Sequence, residues 1–399
     1  MHVDEWTARL HARLRSGPNI PMMDMPMKSF TFVRASLPAP RNMVNTLETR
    51  FTTFLSAYRK RHPAHRSPFE ALALDEDFDG EITCAGWGGS PDHRLSDAHL
   101  EMISRRARRM VALVNARTDC AHLVDDQVKR LLPANQGIRL VPLRDARAAD
   151  EIAGALHDEF PWLAPATDAV WQALRLSAVR GAEGVRIPPL LLAGPPGIGK
   201  TTWARKLGSL IGVPTGIIEA TSEPSSFALV GTQRGWSSAA SGKPLDLILR
   251  TKIANPVFVV DEIEKAGRTM SQSGGAYDMT SGLLSLLERE SSHSWQCPYF
   301  QLPFDMSWIS WILTANDASL LPAPLRSRVN TIELPALTIA QVIDFTLREG
   351  SHRNLSAPAL DAAMIALQWA ATSQTAPSLR TALRALERAE AMEARPMLH

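Results

Sequence analysis

At 399 residues the chain is long enough for two or three domains, each with its own core. Hydrophobic residues make up 45% and charged residues 21%, a globular composition, and a formal net charge of +2 offers no general attraction to nucleic acid or a membrane surface. Cys84, Cys120 and Cys297 lie far apart in no C-x-x-C pair, so neither a disulfide framework nor a zinc site is suggested. The charged opening MHVDEWTARLHARL does not read as a signal peptide and no apolar run is long enough for a bilayer, so a cytoplasmic location is expected.

Taken in order, Asp4 to Arg15 reads as a short amphipathic helix, with Trp6, Leu10 and Leu14 spaced by four. A Pro- and Met-rich segment from Pro18 to Pro40 follows, extended, with a short strand at Phe30–Val33. Asn45 to His62 is the next helix, ending in a basic run where a helix C-terminus favours positive charge. Residues 63–94 are rich in Pro, Gly and Asp and read as a long loop or small hairpin. Ser96 opens a helix to Asn115 that carries Arg105, Arg106, Arg108 and Arg109, and a solvated face is the commoner use of such a cluster. Helices at His122–Leu132 and Asp145–His157, with a strand at Ile138–Val141 between them, complete an α-rich region of unassigned fold, residues 1–150. It is expected to be an adaptor or partner-binding region.

From Trp162 the pattern changes. A helix at Asp168–Arg180 leads into Leu190–Ala193, an apolar run that reads as a buried parallel strand. Further strands follow at Gly216–Glu219, Val257–Val260, Trp308–Leu313 and Thr331–Leu334, alternating with helices. That alternation predicts an α/β fold with an open parallel sheet and its ligand at the carboxyl ends of the strands, over residues 151–335. From Ile339 only helical patterns remain, at 339–349, 358–372 and 377–394, so residues 336–399 are expected to form an all-helical lid.

The first strand runs into Gly194-Pro195-Pro196-Gly197-Ile198-Gly199-Lys200-Thr201-Thr202, which satisfies the phosphate-loop pattern G-x-x-x-x-G-K-[ST]. The glycines let backbone N–H groups converge on one anion, and the helix that follows adds its positive end. An ordinary Gly-rich turn accounts for the glycines but not for a Lys-Thr pair placed directly after the last one. Lys200 is expected to reach the β- and γ-phosphates of ATP and Thr201 to bind Mg²⁺. The strand Val257–Val260 then ends in Asp261 and Glu262. Asp261 suits the metal-holding acid and Glu262 a base that polarises the attacking water. Asn316, past the next apolar strand, is placed to orient that water or to sense the γ-phosphate. An arginine at 326 or 328, just before the last strand, suits an arginine finger supplied in trans, and such a head-to-tail contact closes into a ring when the rotation allows. Arg380, on the last helix, is expected to fold back over the nucleotide.

This order of motifs is that of the AAA+ ATPases. From about residue 190 to 385 the chain resembles the ATPase module of Lon proteases, in GPPGIGKT, NPVFVVDEIEKAG, FDMSWISWILTAN and LPAPLRSRV. The resemblance implies that Lys200, Thr201, Asp261 and Glu262 are the Walker residues, that Asn316 is sensor 1, and that Arg380 is the sensor 2 arginine. Arg328 matches the finger, although Arg326 stands where Lon has an apolar residue. It also aligns Gly231–Ser238 with the Lon loop that grips a translocating polypeptide, which makes Trp236 the pore aromatic.

Lon continues into a protease domain with a Ser–Lys dyad, whereas this chain stops soon after its lid, so proteolysis by the chain alone is not expected. The expectation is a hexameric ring that hydrolyses ATP to remodel or thread a polypeptide partner, with neither nucleic acid nor membrane engaged. Two alternatives use the same module, a nucleic-acid motor or loader and a slow nucleotide-dependent switch.

Overall fold

The computed structural model describes residues 29–38, 42–61, 95–116, 118–120, 122–135, 137–223, 226–234, 239–266, 268–270, 276–372 and 378–394. The expected helix at Asp4–Arg15 and the long loop at 63–94 lie outside the described residues. The chain divides into two compact units, Ala35–Leu132 and the combination of Met1–Arg34 with Pro133–His399. Among the described residues no helix is long and apolar enough to cross a membrane.

In the smaller unit, α1 (Met43–Arg61) packs on α2 (Asp97–Ala116). Leu47 and Leu55 of α1 and Ile103 and Ala107 of α2 are buried, two helical turns or one turn apart, so each helix turns a single apolar stripe inward. Arg105, Arg106, Arg108 and Arg109 occupy the exposed face of α2, with Arg105 paired to Glu101 at 3.4 Å, as the solvated-face expectation had it. The chain leaves this unit through α3 (Asp125–Asn135).

The larger unit is built on five parallel strands: β1 (Leu190–Ala193), β2 (Thr215–Glu219), β3 (Val257–Asp261), β4 (Ser310–Ala315) and β5 (Asn330–Glu333). Their order in the sheet is β5-β1-β4-β3-β2. β1 and β4 are buried along their whole length, which explains why both read as continuous apolar runs rather than alternating ones. The helices around the sheet are α4 (Ala146–Glu159), α5 (Ala164–Val179), α6 (Lys200–Ile211), α7 (Lys243–Thr251) and α8 (Met279–Leu287). Leu190, Leu192, Trp203, Leu207, Val259 and Ile312 belong to one core that joins sheet to helices.

Some element bounds differ from the sequence expectation. The strand expected at Trp308–Leu313 runs instead from Ser310 to Ala315, because Ile309 N–H turns back to the Met306 carbonyl and Thr314 pairs across the sheet. The strand expected at Phe30–Val33 is Ser29–Phe30, paired antiparallel with Ile138–Arg139, after which Val33 forms an isolated bridge to Phe304. The expected domain boundary at 150/151 falls inside α4, which packs on α5 and α6.

The C-terminal region is helical, as expected: α9 (Ile339–His352), α10 (Ala357–Thr372) and α11 (Leu379–Glu393). Thr338 and Gln341 make a reciprocal capping box that starts α9. Ala363, Leu386 and Ala389 form a small core of their own between α10 and α11.

Candidate nucleotide site

The carboxyl ends of β1, β3 and β4 meet at one edge of the sheet, because these strands are neighbours in it. The loop Gly194–Gly199 leaves β1 there and ends at the N-terminus of α6. Gly197 and Gly199 have φ of +79° and +93°, backbone that L side chains rarely adopt. A Cβ on Gly199 would come within 3.0 Å of Leu379 Cδ1, and one on Gly197 within 2.9 Å of Ser378 Cβ. The loop is held from both sides. Trp162 Nε1 donates to the Ile198 carbonyl at 2.8 Å, and Leu379 N–H, on the first turn of α11, donates to the Gly197 carbonyl at 2.9 Å.

Lys200 is only 8% exposed. Its Nζ donates to the carbonyls of Gly194 (2.5 Å) and Pro195 (3.1 Å) and lies 3.5 Å from Asn316 Oδ1. Burial lowers its pKa, against which the carboxylates of Asp261, Glu264 and Glu262 act to keep it charged. An ammonium curled onto its own loop is satisfied without an anion, and it can exchange carbonyls for phosphate oxygens.

Thr201 donates its hydroxyl to Asp261 Oδ2 at 2.9 Å. The other oxygen of Asp261 accepts the hydroxyl of Thr314, which in turn accepts the Glu262 N–H at 3.0 Å. Thr201 and Asp261 together are the all-oxygen donor set that a hard divalent cation takes, with a phosphate-binding loop beside them, so the residues present fit Mg²⁺. Glu262 sits at φ 52°, left-handed for a residue with a Cβ. Its Oε2 accepts from Lys265 Nζ at 2.8 Å and from Thr221 at 3.0 Å. The Lys265 hydrogen bond holds the Glu262 carboxyl below the usual carboxylate range against the opposing desolvation, and the Thr221 hydrogen bond adds to the lowering. Asn316 follows β4 directly, and both its backbone N–H and its Nδ2 donate to Glu264 Oε1.

Residues 190–335 match the family model described as "ATPase family associated with various cellular activities (AAA)". These residues are an AAA domain. The same region is 32% identical over 154 residues to a Lon protease of Desulfovibrio desulfuricans, covering 39% of this chain and 17% of that relative. It is 37% identical over 154 residues to a Lon protease of Campylobacter concisus, covering 37% and 18%, and 30% identical over 188 residues to "Lon protease homolog 2, peroxisomal" of Pichia angusta, covering 47% and 20%. The matches therefore span a fifth or less of those relatives' own lengths. Nucleotide binding and ATP-driven activity are what the AAA family and these Lon relatives support for this region.

Arg326 and Arg328 lie within residues 190–335, and Arg380 lies on the last helix. Arg328 donates Nε to Glu288 Oε1 at 2.6 Å and NH1 to the Pro324 carbonyl at 2.8 Å, away from the domain's own Lys200 cluster. Arg326, two residues before it, is exposed. Arg380 is exposed on the first turn of α11, directly after the Leu379 that binds the phosphate loop. Pro195, Pro196 and Thr202 lie in or next to that loop. Trp236 falls outside the described residues, although the base of its segment is closed by a bridge between Gly231 and Ser241 and by Thr232 N–H to the Ala240 carbonyl. Trp162, Glu264, Lys265, Thr221, Thr314 and Glu288 were not legible as site residues. Thr221, Glu264, Lys265 and Thr314 lie at or just past strand ends, which was their one hint, whereas Trp162 and Glu288 lie next to helices and carried none.

Proposed function

We propose that this chain hydrolyses ATP with Mg²⁺ and couples the cycle to remodelling or threading a polypeptide, in a homo-oligomeric ring, probed first as a hexamer. The ATPase stroke, and not cleavage of a peptide bond, is the activity proposed for these residues. The observation that carries the reading is the convergence of Lys200, the Thr201–Asp261 pair, Glu262 and Asn316 at one sheet edge of an AAA domain.

In this reading Gly194 to Thr202 cradle the phosphates, and Lys200 moves from its loop carbonyls to the β- and γ-oxygens. Thr201 and Asp261 would hold the metal, which would supply positive charge to offset that of the phosphates. Glu262 leaves Lys265 and Thr221 to accept a proton from the attacking water, and Asn316 orients that water or reads the γ-phosphate. Arg328 leaves Glu288 to reach the nucleotide of a neighbouring copy, and Arg380 closes from the lid. Trp236 grips the polypeptide. Residues 1–150 would serve as the partner-binding region, 151–335 as the motor core and 336–399 as the lid. The similarity to Lon proteases supports a protein rather than a nucleic acid as the object of work.

The test is ATP turnover against protein concentration for wild type and Glu262→Gln, with particle size measured alongside. Turnover should rise cooperatively as the ring forms, and Glu262→Gln should retain ATP unhydrolysed. Turnover that is absent at every concentration, or that survives Glu262→Gln, removes the motor reading and leaves a nucleotide-dependent switch.

A further inference from the structure

Glu264 lies in the 3₁₀ turn Ile263–Lys265 that follows β3, a turn anchored by the buried Ile263. One of its oxygens, Oε1, accepts two hydrogen bonds from a single residue, Asn316 N–H at 3.0 Å and Asn316 Nδ2 at 2.7 Å. Its other oxygen, Oε2, is buried and has no hydrogen-bond partner among the described residues. A carboxylate oxygen left unpaired in the interior is unfavourable, and native structures keep few such groups. Nothing in the helices or the sheet requires this one.

The geometry points to Glu264 as the positioning residue of Asn316. A carboxylate only accepts hydrogen bonds and a lysine ammonium only donates them. Asn316 stands between the two, its Nδ2 facing Glu264 and its Oδ1 facing Lys200 Nζ at 3.5 Å. The amide is therefore held in one of its two flip states, with the carbonyl oxygen turned toward the phosphate side and the amino group turned away. The second bond, to the Asn316 backbone, fixes where the chain leaves β4. Without Glu264 the amide is free to turn over and to present a donor to Lys200, which has no acceptor to offer. Glu264 touches neither nucleotide nor water in this scheme. It acts through Asn316, and the inference rests on the role given to Asn316 above.

The test is a double-mutant cycle in steady-state turnover, with nucleotide affinity read separately by fluorescence of a labelled ATP analogue and folding by thermal melting. Asn316→Ala alone should lower kcat about 100-fold. Glu264→Ala should lower kcat by about 10–100-fold, the usual range for a residue that orients a functional group, with KM for ATP nearly unchanged. Glu264→Gln, which keeps an acceptor for both bonds, should recover most of that loss. In Asn316→Ala the Glu264→Ala change should then cost far less than in wild type, since the amide it positions is gone and only the backbone bond is left to lose. Losses that multiply in the double variant overturn the positioning role while leaving Asn316 in place. Wild-type turnover in Asn316→Ala overturns the role of Asn316 itself, and the inference with it. Should Glu264→Ala not fold, Glu264→Leu, close in size and unable to accept, takes its place in the cycle.

Discussion

Glu262 occupies left-handed backbone at φ 52°, with its N–H on Thr314 and its carboxylate shared by Lys265 and Thr221. The same ion pair that satisfies the carboxylate also keeps it from a water, so the group must be released before it can act. Removal of Lys265 deletes the largest cause of the depressed Glu262 pKa. The sign follows from the need for an ionised base: in Lys265→Ala the Glu262 pKa of the free protein rises, and the acid limb of the kcat/KM–pH profile moves to higher pH. An unmoved limb would show that Glu262 does not set it. The phosphate loop makes a harsher demand. Gly199→Ala puts a Cβ at φ +93° against Leu379 and Phe160, and is expected to abolish binding of a labelled ATP analogue while the far-ultraviolet circular dichroism of the helices persists.

Among the elements, α11 matters through its first turn. Ser378 caps it by accepting the Thr381 N–H, and the next residue, Leu379, donates to the phosphate loop. The helical C-terminal region is thus joined to the glycine-rich loop by backbone, and Arg380 rides on the same turn. A second element of this kind is the strap at residues 29–34. Phe32 is fully buried against Phe304, the Arg34 N–H donates to the Pro303 carbonyl, and Arg34 pairs with the buried Asp305 at 2.9 Å. A segment far from the AAA domain in sequence is therefore part of its unit. Phe32→Ala should destabilise that unit by about 3–5 kcal/mol, as deletion of a buried ring does elsewhere. The measurement is the melting transition that shifts with added nucleotide, and a melt unchanged from wild type would show that the strap contributes nothing to it.

At the scale of the whole molecule the question is whether one chain makes a complete site. Arg328 is bound to Glu288 and Pro324, and Lys200, Asp261 and Glu262 form their own cluster without it. If a second copy supplies the finger, Arg328→Ala and Glu262→Gln are each inactive alone, because each lacks one half of every site. Mixed together they should regain measurable turnover, since some interfaces then pair an intact Glu262 with an intact Arg328. A mixture as inactive as its components would argue that Arg328 acts within its own chain or not at all. The same mixing experiment with Arg326→Ala in place of Arg328→Ala distinguishes the two arginines.

Much of this protein was legible in the amino-acid sequence because the information is local. Strands buried on both faces must be apolar throughout, so Leu190–Ala193 and Val257–Val260 announced themselves. A loop that wraps an anion needs glycine at fixed offsets with Lys-Thr behind it, and the lid helices carry their own period. The parallel sheet and the helical C-terminal region follow from those patterns alone. What sequence could not contain is partnership across distance. That Thr314 shares its hydroxyl between Asp261 and Glu262, that Glu264 holds Asn316, and that Leu379 and Trp162 grip the phosphate loop all depend on strand order β5-β1-β4-β3-β2 and on the lid reaching back. Local propensity sets where a strand or helix can form, but a hydrogen bond between residues fifty or two hundred positions apart exists only once packing has brought their elements to the same edge.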